Sequence, residues 1–273
     1  MATITALVVG GTGGIGHAIA LRLASTLPAT STLAISGRTK PATLPANITF
    51  LPLDATSMQG IKSYATHFKS LTPTPSLTHL VLTQGILSMA GRTETPEGID
   101  RKMALHFYGR HLLIRELLPI LKPDARVMIV LDGWMGSPDK LDWDDLDLKK
   151  GFSLKKAADH CVSMNDGMVR YWAGVGGEER LFVHAFPGAV NTGYADAFVP
   201  KLLRPAVKRL AGLALTKPEV CAERLLSGID GKGWKNIDSK GKRVEKKEWT
   251  EEQVRKVVEH TWGVVEGALA KGV

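Results

Sequence analysis

The run Val8-Val9-Gly10-Gly11-Thr12-Gly13-Gly14-Ile15-Gly16 constrains this chain more than any other stretch. An apolar segment, Ile4 to Val9, precedes it, and a helical pattern, His17 to Ala24, comes next. Strand, glycine turn and helix in that order form a seat for a pyrophosphate. Gly10 allows a sharp turn, Gly14 a close approach of backbone to phosphate, and Gly16 tight packing of helix on strand. Free N–H groups at the helix start, with Thr12 and Ile15 in the same turn, then face the anion.

The chain continues as alternating strands and helices. Strand two, Ser31 to Ser36, ends in Ser36-Gly37-Arg38. An acid at this place holds a ribose 2′-hydroxyl, whereas an arginine accepts a 2′-phosphate. No Asp or Glu lies between Leu33 and Lys40, so Arg38 predicts NADP(H) as cofactor. Strand three, Ile48 to Leu53, leads to Asp54-Ala55. That carboxylate can reach an adenine amine or cap the helix Ser57 to Phe68. Strand four, Leu77 to Thr83, closes in Thr83-Gln84-Gly85, and Thr95-Pro96-Glu97 starts a long helix to about Leu121. Strand five spans Arg126 to Leu131, and a further helix spans Leu154 to Ala173. Strand six, Leu181 to Phe186, ends in Pro187-Gly188.

Beyond it, Val199 to Leu215 reads as short helices over the pocket mouth, Pro218 to Leu226 as a helix, and Gly233 to Val244 as a strand or hairpin. Thr250 and Gln253 form a capping box, flanked by a Trp249–Val254 staple, that opens a last helix over about 250–270. The expected fold is α/β, a Rossmann-type doubly wound parallel sheet forming one domain over residues 1–273.

The totals fit that class. Hydrophobic residues make up 44% and charged residues 23% of 273, ordinary values for a globular chain. No run of about 18 apolar residues points to a membrane span, and no basic leader precedes the first strand, so the cytoplasm is the expected location. The net charge of +8 lies largely in Lys232 to Lys256, interleaved with acids and without aromatic alternation. It predicts a favourable field for an anionic cofactor rather than nucleic-acid binding. Cys161 and Cys221 form no motif and read as free thiols buried in helices, and no His or Cys spacing predicts a metal site.

From residue 4 to about 260 these motifs resemble the short-chain dehydrogenase/reductase family. The glycine turn matches its first motif, Asp54-Ala55 its adenine contact, and Thr83-Gln84-Gly85 stands where the family has Asn-Ala-Gly. Pro187-Gly188-Ala189-Val190-Asn191-Thr192 matches the stretch that lines the nicotinamide. The resemblance implies a Tyr-x-x-x-Lys pair, a Ser and an Asn as catalytic groups. In register those positions hold Ala158, Val162, Asp132 and His106. It also implies self-association, as homodimer or homotetramer, through the helix ending near Leu121 and the helix Leu154 to Ala173.

Without phenol and ammonium, three readings stay open. The site could reduce an acceptor that is already electrophilic, an iminium ion or a polarised enone, with a small or medium apolar substrate. Asp132, Asp166 and His106 are then the candidate catalytic residues. Asp166 lies one turn beyond the lost pair at ~100° per residue, and a carboxylate facing an apolar cleft would have a raised pKa and act as an acid. This pattern is similar to that of reductase/cyclase proteins in fungal alkaloid pathways. Alternatively, the cleft is a dry template for a non-redox cyclase or isomerase, with Trp134, Trp172, Phe152 and Met164 as walls. The third reading is a cofactor-binding pseudoenzyme.

Overall fold

The computed structural model describes residues 3–28, 30–72, 75–193 and 214–272. Seven parallel strands form one sheet: β1 (Thr3–Val9), β2 (Ser31–Gly37), β3 (Ile48–Pro52), β4 (Leu77–Leu82), β5 (Leu121–Val130), β6 (Leu181–Ala185) and β7 (Gly233–Ile237), in the order β3-β2-β1-β4-β5-β6-β7. The central strands are apolar on both faces, as strands sandwiched between helix layers must be. Val9 pairs with Ser36 on one side and Leu82 on the other, so the carboxyl ends of β2, β1 and β4 lie level. The direction of the connections reverses between β1 and β4, which opens a crevice there.

Helices α1 (Gly14–Thr26) and α5 (Pro218–Ser227) cover one face, around Val8, Ile19, Ile35, Val183 and Leu225. On the other face lie α2 (Met58–Leu71), α4 (Leu154–Val175), α6 (Glu251–Ala270) and a composite helix, α3. Helix α3 comprises Arg101–Met103, a π-turn at Ala104–Tyr108 and an α-helical run, Gly109–Leu117.

Several boundaries differ from the sequence reading. Helix α1 starts at Gly14, three residues before His17. Helix α3 starts at Arg101, capped by Asp100, rather than at Thr95-Pro96-Glu97. Those residues close a turn in which Gly98 has φ +85° and its N–H meets the Thr95 carbonyl. Glu97 serves another helix: its carboxylate accepts from the Ser57 hydroxyl and the Met58 and Gln59 N–H groups at 2.8–2.9 Å. An anion there complements the positive end of α2. Strand β5 begins five residues before Arg126, with Pro123 placed where the pairing with β4 shifts register. Most of Val199 to Leu215 falls outside the described residues. No described helix is long and apolar enough to cross a membrane.

Helix α6 opens with the expected capping box, Thr250 with Gln253. Trp249 lies against Gly167 of α4, where an added Cβ would meet its ring at 3.0 Å. Val257, Thr261, Val265 and Ala268 bury one stripe of α6. His260 bonds Tyr108 of α3 at 2.8 Å, Glu266 pairs with Arg115 of α3 at 2.5 Å, and Trp262 packs edge-on against Trp172 of α4. The chain's own last helix thus covers part of the α3 and α4 surface through which the family resemblance implies self-association.

Burial lowers the pKa of His79, His106, His111, His160, His184 and His260. Folded, these rings resist protonation, whereas in the unfolded chain they take up protons below about pH 6.5. Their stability contribution is therefore present above that pH and lost on acidification. Urea titrations at pH 7.5 and 5.5 should show an unfolding free energy lower by at least ~2 kcal/mol at pH 5.5.

Candidate functional site

A cleft of about 530 Å³ opens at the crevice between β1 and β4. One wall is the glycine turn. Gly10 has φ +82°, and a Cβ on it would stand 2.5 Å from Thr83 Oγ1. A Cβ on Gly16 would collide with the same oxygen and with the Gly10 carbonyl. Both positions therefore require glycine for close approach, and Gly14 requires it for its φ of +54°. Helix α1 has Gly13 at its N-cap and no capping side chain, unlike α2, α4 and α6. Its first N–H groups are thus available to an anion.

Thr12, Ile15, Arg38, Asp54, Ala55, Thr83, Gly85, Pro187 and Thr192 line the same cleft. Asp54 does not cap α2, whose N-cap is Ser57. Its Oδ1 instead accepts from the Thr56 N–H and hydroxyl at 3.0 and 2.7 Å. Ser36 is buried and bonds the Tyr64 hydroxyl at 2.6 Å, so its side chain belongs to the core rather than the cleft. Gly188, at φ +73°, packs beside Ser239, and Val190 bridges to Thr216; neither lines the cleft.

The far end of the cleft is built by α3. Arg101, Leu105, His106 and Arg110 line it. The spacing from Leu105 to Arg110 is one residue longer than an α-helical repeat. The π-turn explains it: the Gly109 N–H reaches back to the Ala104 carbonyl, and the extra residue rotates the remainder of the helix by ~100°. The carbonyl of His106 accepts from Asn165 Nδ2 of α4 at 3.0 Å, so the turn is braced from outside. Asn165 Oδ1 in turn accepts from His111 Nε2 at 3.0 Å.

His106 Nε2 accepts the Ile86 N–H at 3.0 Å, which leaves the ring proton on Nδ1. Burial, reinforced by the charges of Arg110 and Lys102, pulls its pKa to about 3. His106 is therefore a neutral hydrogen-bond donor. The Arg110 guanidinium, pulled by burial to about 9, bonds the carbonyls of Leu105, Val130 and Gln84 at 3.1, 2.9 and 2.6 Å. It ties the carboxyl ends of β4 and β5 together beneath the cleft.

Asp132 and Asp166 are placed elsewhere. Asp132 Oδ1 caps its own turn, accepting from the N–H groups of Trp134 and Met135 at 3.1 and 3.0 Å. Asp166 is fully buried. Its Oδ1 accepts from His184 Nδ1 at 2.6 Å and Asn236 Nδ2 at 2.5 Å, and its Oδ2 accepts from Lys246. Burial alone pushes this carboxyl up, but His184 and Lys246 outweigh it and hold it below the usual carboxylate range. The raised pKa expected from the sequence is thus corrected: Asp166 is an anion that stitches α4 to β6, β7 and the segment before α6. Asn236 and Lys246 also donate to the Gly133 carbonyl, at 3.0 and 3.2 Å, so the cluster anchors the loop after β5.

Arg101, Arg110 and Lys246 were not singled out from sequence. For Arg110 a signal existed, an arginine inside the apolar helix His106 to Ile114. Lys246 had none, since it looks like one member of a solvated charged run. Replacing Asp166 by Asn should strand the Lys246 ammonium and cost about 3–5 kcal/mol of stability by urea denaturation. A Gly16→Ala variant should lose ~2 kcal/mol or more, because the clash includes backbone.

No family model matches the chain. It is 33% identical over 209 residues to an oxidoreductase of Emericella nidulans, AN1596, an alignment covering 71% of this chain and 61% of that protein. The chain thus spans about three-fifths of that relative's length. It is 24% identical over 243 residues to the short-chain dehydrogenase/reductase tropG of Talaromyces stipitatus, covering 76% and 72% of the two. Among solved structures, an NADPH-bound carbonyl reductase from chicken fatty liver superposes with a TM-score of 0.62 at 18% identity, covering 90% of this chain and all of that one. The chain is thus similar in sequence to proteins described as oxidoreductases, and its fold is similar to that of short-chain dehydrogenase/reductases.

Proposed function

We propose that the chain is an NADP(H)-dependent oxidoreductase that delivers hydride to a small or medium apolar acceptor already activated as an iminium ion or enone. The observation that carries this reading is a neutral His106, its Nε2 engaged by Ile86, in the same cleft as the glycine cradle. The cradle fits a dinucleotide: two glycines whose lack of a side chain lets the turn pack tightly on Thr83, an uncapped helix start, and Arg38 with no ion pair among the described residues. The Gly10 to Gly16 turn would hold the pyrophosphate, Arg38 the 2′-phosphate, Asp54 and Ala55 the adenine, and Thr83, Gly85, Pro187 and Thr192 the nicotinamide end. Bound there, the reduced nicotinamide supplies a hydride.

The chain's own contribution at that end is polarisation. His106 Nδ1–H can bond an oxygen or nitrogen of the acceptor without giving up its proton. Of the carboxylates considered for a proton-donating role, Asp132 caps a turn and Asp166 is bound to three partners. Such a site suits an acceptor that needs little protonation as hydride arrives. An apolar substrate is supported by exposed apolar side chains on the loops after β4 and β5, where Leu87, Met89, Trp134 and Met135 are 54%, 70%, 54% and 55% exposed. Phe186, after β6, packs edge-on against Trp134.

Loss of reduced-nicotinamide absorbance with a panel of iminium, enone and ketone compounds tests the reading. Conversion with NADP⁺ alone would replace it with a non-redox cyclase or isomerase, and tight NADPH binding with no conversion of anything would leave a pseudoenzyme. His106→Ala should lower turnover about 10²-fold, the scale of one lost polarising donor. Because His106 stays neutral, the wild-type rate should show no inflection near pH 6.5; an inflection abolished in His106→Ala would sink its assignment as a neutral donor. Arg38→Ala should reduce the preference for NADPH over NADH about tenfold.

A further inference from the structure

The geometry points to Arg101 as a second cation, acting with Arg38, for the 2′-phosphate of the bound dinucleotide; this rests on the reading of the cleft as a dinucleotide site. Arg38, Arg101 and Arg110 line the cleft. Arg110 is consumed by three backbone carbonyls. Arg38 and Arg101 are exposed, and neither side chain has a hydrogen bond or ion pair among the described residues. The neighbouring base, Lys102, contrasts with Arg101: its ammonium bonds the Gly91 carbonyl at 2.8 Å and Asp100 at 3.4 Å.

Position as well as charge favours Arg101. Glu97 fastens its segment to the first turn of α2 through Ser57, Met58 and Gln59. Those residues come directly after Asp54, Ala55 and Thr56, which line the adenosine end of the cleft. The Arg101 N–H bonds the Thr93 carbonyl at 2.8 Å, and Asp100 caps the turn through the Lys102 and Met103 N–H groups. One turn further along, Leu105 lines the cleft as well, which sets the α3 stripe facing it. Arg101 thus stands on a fixed backbone beside the adenosine site, with the nearby carboxylates of Glu97 and Asp100 already committed. Two guanidiniums from separate elements, the turn after β2 and the first turn of α3, can share one phosphate dianion by charge-assisted hydrogen bonds.

Calorimetric titration of the full chain with adenosine 2′,5′-bisphosphate and with AMP tests the assignment without any turnover. The wild type should bind the bisphosphate more tightly than AMP, and added salt should narrow the difference. Arg101→Met, which keeps much of the apolar stem, should weaken the bisphosphate about tenfold and leave AMP within about twofold. Arg101→Lys should fall between the two. Unchanged bisphosphate affinity in Arg101→Met overturns the assignment and leaves the dinucleotide reading standing. An equal loss for AMP also overturns it, assigning Arg101 to the adenine ring instead. A wild type that binds neither nucleotide overturns the assignment and the dinucleotide reading together.

Discussion

The three-way contact of Gly10, Gly16 and Thr83 decides where everything else in this fold can go. The Thr83 N–H and hydroxyl both donate to the Val9 carbonyl, at 2.8 and 2.9 Å, and the Gly10 N–H donates to the Ser36 carbonyl at 2.8 Å. The ends of β1, β2 and β4 are thereby knotted at one point, and α1 starts against it because Gly16 has no side chain. With α1 on one face of the sheet and α3 on the other, the reversal of strand order leaves a crevice over that knot. A methyl group at residue 16 would meet backbone, which cannot rotate away as a side chain can.

Two of the buried charges, Arg110 and Asp166, are compensated differently. Arg110 sits 1% exposed with three carbonyl partners, so its charge is dispersed over fixed dipoles. Asp166 is compensated by Lys246, His184 and Asn236, drawn from three separate stretches of chain. A buried ion pair is weak evidence for net stability, since taking both charges out of water costs about as much as their attraction returns. Its effect is on arrangement. The Lys246 ammonium also holds the Gly133 carbonyl, and a Cβ on Gly136 would strike Asp166 Oδ2. The loop carrying Trp134 and Met135 therefore has little freedom where it leaves β5.

The difference between what could and could not be read from the sequence lies in range. The glycine turn, Arg38, Asp54-Ala55 and Thr83 are local signals, in which residue type and spacing state a backbone requirement, and the cleft contains all of them. The capping box at Thr250 and Gln253 is local too, and the structure forms it. Asp166 misled because helical phase says which face a residue occupies and nothing about what the opposing strand supplies. His184 and Asn236, at paired register on β6 and β7, were the missing partners. The start of α3 misled for a related reason: Thr95-Pro96-Glu97 has the composition of a helix start, but Glu97 serves the N-terminus of α2, about 40 residues earlier in the chain.

The π-turn in α3 links this local code to the chemistry of the cleft. In an unbroken α-helix, Arg101 and Arg110 would face opposite sides, since nine steps of ~100° carry the chain half a turn past the starting direction. The added residue brings Arg110 round to the cleft wall that Arg101 and Leu105 also line. Arg110 is then a fixed positive charge beside an imidazole already disfavoured as a cation by burial. A protonated His106 would have to lose its bond from the Ile86 N–H or turn away from it, because Nε2 could no longer accept. Geometry and electrostatics thus select the same tautomer and the same charge state. A family resemblance that supplies a phenol and an ammonium for proton delivery is met here by a neutral donor on a re-aimed helix. Under the proposed function, the acceptors such a site would serve are those whose electrophilicity does not depend on a proton from the enzyme.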